Sequence, residues 1–298
     1  MRGKNGKGRE RPSVGLALSG GAARGIAHVG VLRVLIEHGI PIDYIAGTSA
    51  GALVGGALAA GLSIDEIEEI GLNLRWRDLG RPTLSRLGMQ SNARLEEYVH
   101  AHFPVTRFED LRIPLATVAT DLRAGSAVVM SGEGDIAFAI RASCAIPGWY
   151  VPVTDKRGRQ LVDGGLVANV PTAAVRALGA DIVIAVDVNS EGAKFLGPPQ
   201  SAIGVMLQAM MVIQRTAAMH QWQDADVVIM PKVGHIRWDE IGRAADLIAA
   251  GREATLALIE RIEHLTRLAP EPPLKWYQFR RRALAPLTAD KRRFSPLR

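Results

Sequence analysis

Two glycine-rich turns, each set between a short apolar run and a helical period, constrain this chain more than any other feature. The first joins Val14-Gly-Leu-Ala-Leu-Ser19 to Gly20-Gly-Ala-Ala-Arg-Gly25, after which Ile26, Val29, Leu32, Leu35 and Ile36 recur at helical spacing. The second joins Asp43–Thr48 to a small-residue helix, Ala50–Gly61, through Gly47-Thr-Ser-Ala-Gly51. The alternation continues down the chain. Helices are predicted over 63–74, where Ser63 and Glu66 form a capping box, and over 91–103, 135–143, 171–178, 201–220 and 239–267. Strands are predicted over 149–154, 160–162, 181–188 and 226–231, with a hairpin turning at Arg123-Ala-Gly125. Strands alternating with helices imply an α/β fold, a three-layer α/β/α sandwich with a mostly parallel central sheet.

Charge divides the chain into three parts. Residues 1–12 carry a net +4 and residues 275–298 a net +7, which leaves 13–274 at −5 within the total of +6. The expected organisation is a basic N-terminus (1–12), a catalytic domain (13–268) and a basic, Pro-containing extension (269–298). Basic tails bind anionic headgroups or nucleic acid, or stay solvated. No nucleic-acid-binding motif is present, so no nucleic-acid partner is expected. Trp276, Tyr277 and Phe279 beside Arg280-Arg-Arg282 suggest an interfacial patch. Cys144 is the single cysteine, which excludes an intrachain disulfide and suits a reducing compartment. The N-terminus has no apolar core of a signal peptide, and no apolar run reaches about 18 residues. The expected location is cytoplasmic, with peripheral contact at the inner membrane face.

The first glycine turn offers backbone N–H groups to an anion, either a phosphate or a developing oxyanion. A dinucleotide site needs G-x-G-x-x-G and an acidic residue at the end of the second strand. Gly20–Gly25 lacks the third-position glycine, and Gly47–Gly51 stands where the carboxylate belongs. A Walker loop is absent as well. The second turn has the Gly-x-Ser-x-Gly pattern of a nucleophile elbow, with Ser49 at its centre and Gly47 and Gly51 on its flanks. A packing serine is the other reading. No histidine has a turn context that suits a base, although His235 follows a strand end. Asp163 lies between a short strand and the pair Gly164-Gly165, whose backbone freedom can hold it at a fixed angle. An Asp–Gly turn is the plainer alternative. A carboxylate can deprotonate a serine directly when its pKa and geometry suit.

In order, "SGGAARG", "GTSAG" and "VDGG" resemble the patatin-like phospholipase family, and "ASCAIPGWYVPV" (142–153) resembles the stretch before its aspartate. The resemblance spans about Val14 to Asp187. It implies a Ser–Asp dyad without histidine, cofactor or metal. Ser49 would be the nucleophile and Asp163 its partner. The amides around Gly20, Gly21 and Ala22 would form an oxyanion hole, with Arg24 orienting the loop electrostatically and Gly25 as a supporting residue. Ala22 replaces the family's third glycine, so its Cβ demands a particular φ. The implied activity is hydrolysis of lipid or lysolipid acyl esters. An acyltransferase using the same dyad, or a non-catalytic binding protein of this fold, remains open. Met206, Met210, Met211 and Met219 on the 201–220 helix read as core or as a pliable acyl groove.

Overall fold

The first strand shows how the layers form. In the computed structural model, which describes residues 11–190 and 198–267, β1 (Val14–Leu18) is buried throughout. Val14, Leu16 and Leu18 enter one core and Ala17 enters another on the opposite face. Successive strand residues point to opposite sides, so one strand of large and small residues specifies two unequal layers. The expected basic tails and the Trp276–Arg282 patch lie outside the described residues, apart from Arg11 and Pro12.

A 3-10 turn at Ala22–Ile26 leads into α1 (Ala27–Glu37), β2 (Tyr44–Thr48), α2 (Ala50–Ala60), α3 (Ile64–Asn73) and α4 (Trp76–Leu79). Next come β3 (Arg81–Pro82), β4 (Gly88–Ser91), α5 (Ala93–His102), β5 (Leu115–Asp121), β6 (Ser126–Ser131) and α6 (Ile136–Ser143). Then follow β7 (Gly148–Tyr150), β8 (Val153–Thr154), β9 (Gln160–Asp163), α7 (Thr172–Leu178) and β10 (Ile182–Val186). The rest is α8 (Ala202–Gln221), β11 (Val227–Ile229), α9 (Ala244–Leu256) and α10 (Ile259–Arg267). Ser63 and Glu66 form the expected capping box at α3: the Glu66 amide donates to Ser63 Oγ (3.3 Å) and the Ser63 amide to Glu66 Oε2 (2.7 Å).

The main sheet runs β11-β10-β1-β2-β5-β9-β8, with β6 also on β5. Its four pairings from β11 to β5 are parallel, and the three involving β6, β8 and β9 are antiparallel. One face carries α1, α2, α9 and α10, with Val29, Leu32, Ala52, Leu247 and Ile262 in its core. The other carries α7 and α8, where Val175 and Ala218 meet Ala17, Ala46 and Ala185. Small residues on that side of the sheet let the helices approach closely. The α1–α9 crossing is equally tight, since a Cβ on Gly30 would collide with the Ile248 carbonyl.

Strand β5 sets the geometry of the site. One of its edges is taken by β6; the other pairs with β2 up to Val118 and with β9 from Ala119. Thr48 therefore faces Val118 and Asp163 faces Ala119, which places the ends of β2 and β9 side by side.

The structure departs from the sequence pattern in two places. The predicted helix 239–267 is a 3-10 turn at Ile241–Arg243 followed by two α-helices that separate after Leu256. Thr255 Oγ1 donates back to Gly251 O (2.8 Å), a bond that bends helices just before the break. The sequence also gave no sign of the second sheet, β3-β4-β7, because Arg81–Ser91 lacks a clear period. No helix among the described residues is long and apolar enough to cross a membrane.

Candidate active site

Ser49 sits between β2 and α2 with φ +54° and ψ −123°, in the left-handed region where a non-glycine residue stores about 1–3 kcal/mol. The surrounding residues enforce this conformation. The Ser49 amide donates to Ser143 Oγ (2.8 Å), and Ser143 in turn donates to Val118 O (2.6 Å). Thr48 Oγ1 donates to Ala168 O (2.7 Å). The flanking glycines are needed for room: a Cβ on Gly47 would lie 2.5 Å from Ala52 N, and one on Gly51 would strike Leu18 O. Ser143 belongs to the segment before the aspartate, but sequence reasoning missed its role.

Asp163 is buried beside the Ser49 hydroxyl and accepts a hydrogen bond from the Gly165 amide (Oδ1, 2.8 Å). Burial pushes its pKa up to about 6, while the neighbouring Ser49 hydroxyl and the Gly165 amide pull it back down. Its backbone is fixed as well, with Asp163 N on Ala145 O (2.9 Å) and Thr120 Oγ1 on Asp163 O (2.9 Å). The expected backbone freedom of Gly164 and Gly165 is not what the site uses, because neither has positive φ. Both provide room instead: a Cβ on Gly164 would clash with Val118 O, and one on Gly165 would lie 2.5 Å from Gln214 Nε2. The Cys144 thiol lies beside the Ser49 hydroxyl, and burial together with the Asp163 charge raises its pKa far enough to keep it neutral.

The three expected oxyanion amides are not equivalent. Gly20 N donates to Asn169 O (3.2 Å), which removes it from the set. Gly21 N and Ala22 N have no acceptor among the described residues, and both residues line the cavity beside Ser49. Ala22 has φ +49°, so the residue in place of the family's glycine adopts the conformation glycine would favour. Gly25 lets the 3-10 turn rest on α2, where a Cβ would strike Ala50 Cβ. Arg24 lines neither cavity. Its buried guanidinium donates to Ile236 O (2.7 Å), Gly234 O (3.3 Å) and Asn189 Oδ1 (3.4 Å). These charge-assisted bonds tie the loop to the 234–236 segment and to Asn189. Asn189 Nδ2 donates to Gly20 O (3.1 Å), a contact the sequence did not suggest. The Asn169 side chain, fully buried against Gly20 and Gly165, has no partner for either polar atom among the described residues.

Two cavities meet at Ser49, and Ala22 and Ile146 line both. The larger, with about 840 Å³ of empty space including its opening to solvent, runs between α1, α2, α3 and α5 and is lined almost wholly by apolar groups such as Val29, Leu53, Ala57, Ile67, Leu95 and Phe103. The smaller, with about 500 Å³ of empty space including its opening to solvent, is lined by Asp163, Asn189 and Gln214 together with Leu207, Met210 and Met211 from α8. Trp238 stands edge-on to Trp76 (centroids 6.0 Å apart) and to Trp149 (5.5 Å). Trp76 lines the larger cavity and Trp238 the smaller. The apolar cavity thus lies across the site from the methionine helix, where an acyl groove was one expectation. Nor is that helix simply core, since Met206 and Met219 are exposed.

No histidine lines either cavity among the described residues. His28 is buried with its Nε2 on Ser19 O (2.8 Å), and burial lowers its pKa to about 4, so it stays neutral. His235 is exposed. Glu96, His100 and Asp135 cluster at the surface, where Arg141 already pairs with Glu96 (2.7 Å).

The model of the patatin-like phospholipase family matches residues 16–176, and the chain belongs to that family. An uncharacterised NTE family protein of Mycobacterium tuberculosis is 40% identical over 199 residues, covering 66% of this chain and 54% of the relative. Human patatin-like phospholipase domain-containing protein 6 is 34% identical over 191 residues, covering 60% of this chain and 14% of that protein. The chain thus spans about half the length, or less, of these curated relatives. The structure of VipD from Legionella pneumophila matches with a TM-score of 0.51 at 15% identity, covering 85% of this chain and 67% of VipD, a likeness of fold.

Proposed function

We propose that the chain hydrolyses carboxylic esters of fatty acids, with Ser49 as nucleophile and Asp163 as its proton acceptor. The observation that carries this reading is the position of Ser49. Its hydroxyl adjoins a buried carboxylate at the junction of a long apolar cavity and a smaller, more polar one. An acyl chain fits the first and the alcohol part of an ester the second. Each methylene taken from water into such a cavity contributes about 0.8 kcal/mol.

With a pKa near 6, Asp163 is about 90% ionised at pH 7 and still basic enough to accept a proton. As Ser49 Oγ bonds to the carbonyl carbon, its proton passes to Asp163, and the carbonyl π electrons move onto oxygen. The amides of Gly21 and Ala22 would hold that oxyanion, each donor contributing about 3 kcal/mol. Collapse breaks the ester C–O bond, and the departing alkoxide takes the proton from Asp163. Water then adds to the acyl-enzyme and gives its proton to Asp163. Ser49 leaves with that proton, and the fatty acid is released.

The test uses a fluorophosphonate probe and a panel of p-nitrophenyl esters and lysophospholipids. Wild-type protein is expected to label at Ser49 and release fatty acid, and Ser49→Ala to do neither. Labelling without fatty acid release, or release that survives Ser49→Ala, would sink the reading.

A further inference from the structure

We propose that the β3–β4 hairpin and the outer side of α8 form one face that docks on an anionic lipid bilayer. The clustering of exposed apolar side chains motivates this. Of 14 large apolar residues exposed among the described ones, eight fall in these two segments. Leu84 (104% exposed), Leu87 and Met89 are on the hairpin; Val205, Met206, Val212, Ile213 and Met219 are on α8. Residues 205, 212 and 219 repeat every seven positions, which draws a single stripe along the helix.

The two segments adjoin. Met206 covers Gly148, leaving no room there for a Cβ. Gly148 pairs with Gly88, which lies between Leu87 and Met89. The face therefore runs from hairpin to helix through β7. Exposed patches of this kind in a folded protein mark interaction surfaces.

Charge identifies the occupant. Residues 75–94 contain five arginines and one aspartate, a net +4 inside a body whose total is −5. Arg75, Arg77, Arg81, Arg86 and Arg94 are all exposed. Helix α8 adds exposed Arg215 and has no acidic residue. Apolar residues ringed by arginine match a surface of acyl chains beneath anionic headgroups. Position supports the same partner. Trp76 and Leu79 of α4 wall the large cavity, and Leu207, Met210 and Met211 from α8 wall the small one. Helix α8 of the docking face thus walls the small cavity, and α4, which leads directly into the hairpin, walls the large one. Although the proposal rests on the lipid-ester reading, its test is independent of turnover.

The full-length Ser49→Ala protein is floated with vesicles of phosphatidylcholine alone or mixed with phosphatidylglycerol. It is expected to float with the mixed vesicles and stay down with phosphatidylcholine. Adding Arg81→Glu and Arg86→Glu is expected to weaken association by about thirtyfold or more, the equivalent of about 1 kcal/mol for each arginine lost. Leu84→Ser with Val212→Ser is expected to weaken it similarly. An unchanged thermal midpoint establishes that these variants are folded, and an unchanged rate on a soluble butyryl ester, in the Ser49 background, that their site is intact. The proposal is overturned if both pairs float as the parent does, or if only deletion of 269–298 abolishes flotation. It is also overturned if no vesicle binds while the face mediates a concentration-dependent dimer. Flotation of Ser49→Ala reports docking and fatty acid release reports chemistry, so either can fail alone.

Discussion

Replacing Asp163 with Asn separates what the carboxylate does for catalysis from what it costs the fold. The geometry survives the change on one side, since Asn Oδ1 can still accept from the Gly165 amide, now at 2.8 Å from Asp163 Oδ1. On the other side, an amide Nδ2 would donate to Ser49 Oγ and could not take its proton. General-base assistance accounts for about 10²–10⁴ in rate, so kcat on a p-nitrophenyl ester is expected to fall by at least about a hundredfold. Wild-type kcat/KM is expected to rise with pH through the Asp163 pKa of about 6 and then level off, and Asp163→Asn is expected to abolish that inflection.

Stability moves the opposite way. The folded pKa of Asp163 is raised from 3.8 to about 6, chiefly by burial. Between those values the native state binds the proton more tightly than the unfolded chain does. The contribution of this group is therefore fully present below about pH 4 and lost as pH rises through 6. A shift of about two pKa units corresponds to about 3 kcal/mol at pH 8. Asn has no charge to bury, so Asp163→Asn is expected to be more stable than wild type at pH 8 by up to about 3 kcal/mol, and by little or nothing at pH 4. Urea titrations at the two pH values measure this. A stability difference independent of pH, or a variant retaining wild-type kcat, would refute the reasoning.

Other expectations follow from particular contacts. Ser143→Ala leaves the Ser49 amide without its acceptor and removes the bond to Val118, so stability is expected to drop by about 2 kcal/mol, with slower fluorophosphonate labelling. Gly71 lines the large cavity, and a Cβ there has ordinary clearance from Ile26 and Val29 (3.6 and 3.7 Å). Gly71→Leu is expected to cut kcat/KM for dodecanoyl relative to butyryl esters by about fourfold for every methylene excluded. Ala22→Gly relieves a left-handed φ of +49° and is expected to raise stability by about 1 kcal/mol in thermal denaturation.

The local patterns were legible and the distant meetings were not. Capping at Ser63, the elbow at Ser49 and most strand positions depend on neighbours within a few residues, which a sequence displays. Ser143, Asn169 and Asn189 reach the site from far along the chain, where no spacing rule connects them to Gly20 or Ser49. The helix at 239–267 kept a helical period across its break, because buried Thr255 and Ile262 stay in phase on both sides. Methionine content drew attention to α8 as core or acyl groove. The apolar cavity is instead lined by unremarkable Val, Leu, Ile and Ala side chains, which read as packing until the space between them is seen.

The hand-over on β5 between Val118 and Ala119 acts as a ruler for the whole site. Ser49 and Asp163 arrive on strands that never pair with each other, and only their shared register against β5 fixes how far apart they stand. A one-residue slip of either strand would displace its end by about 3.3 Å and invert its side chains. Loops between the hand-over and β9, such as the turn at Arg123–Gly125, do not enter that measurement. Insertions there leave the spacing of the two residues untouched, whereas one residue added within β5 destroys it. The site thus tolerates length variation over long stretches of chain and almost none across two adjacent positions.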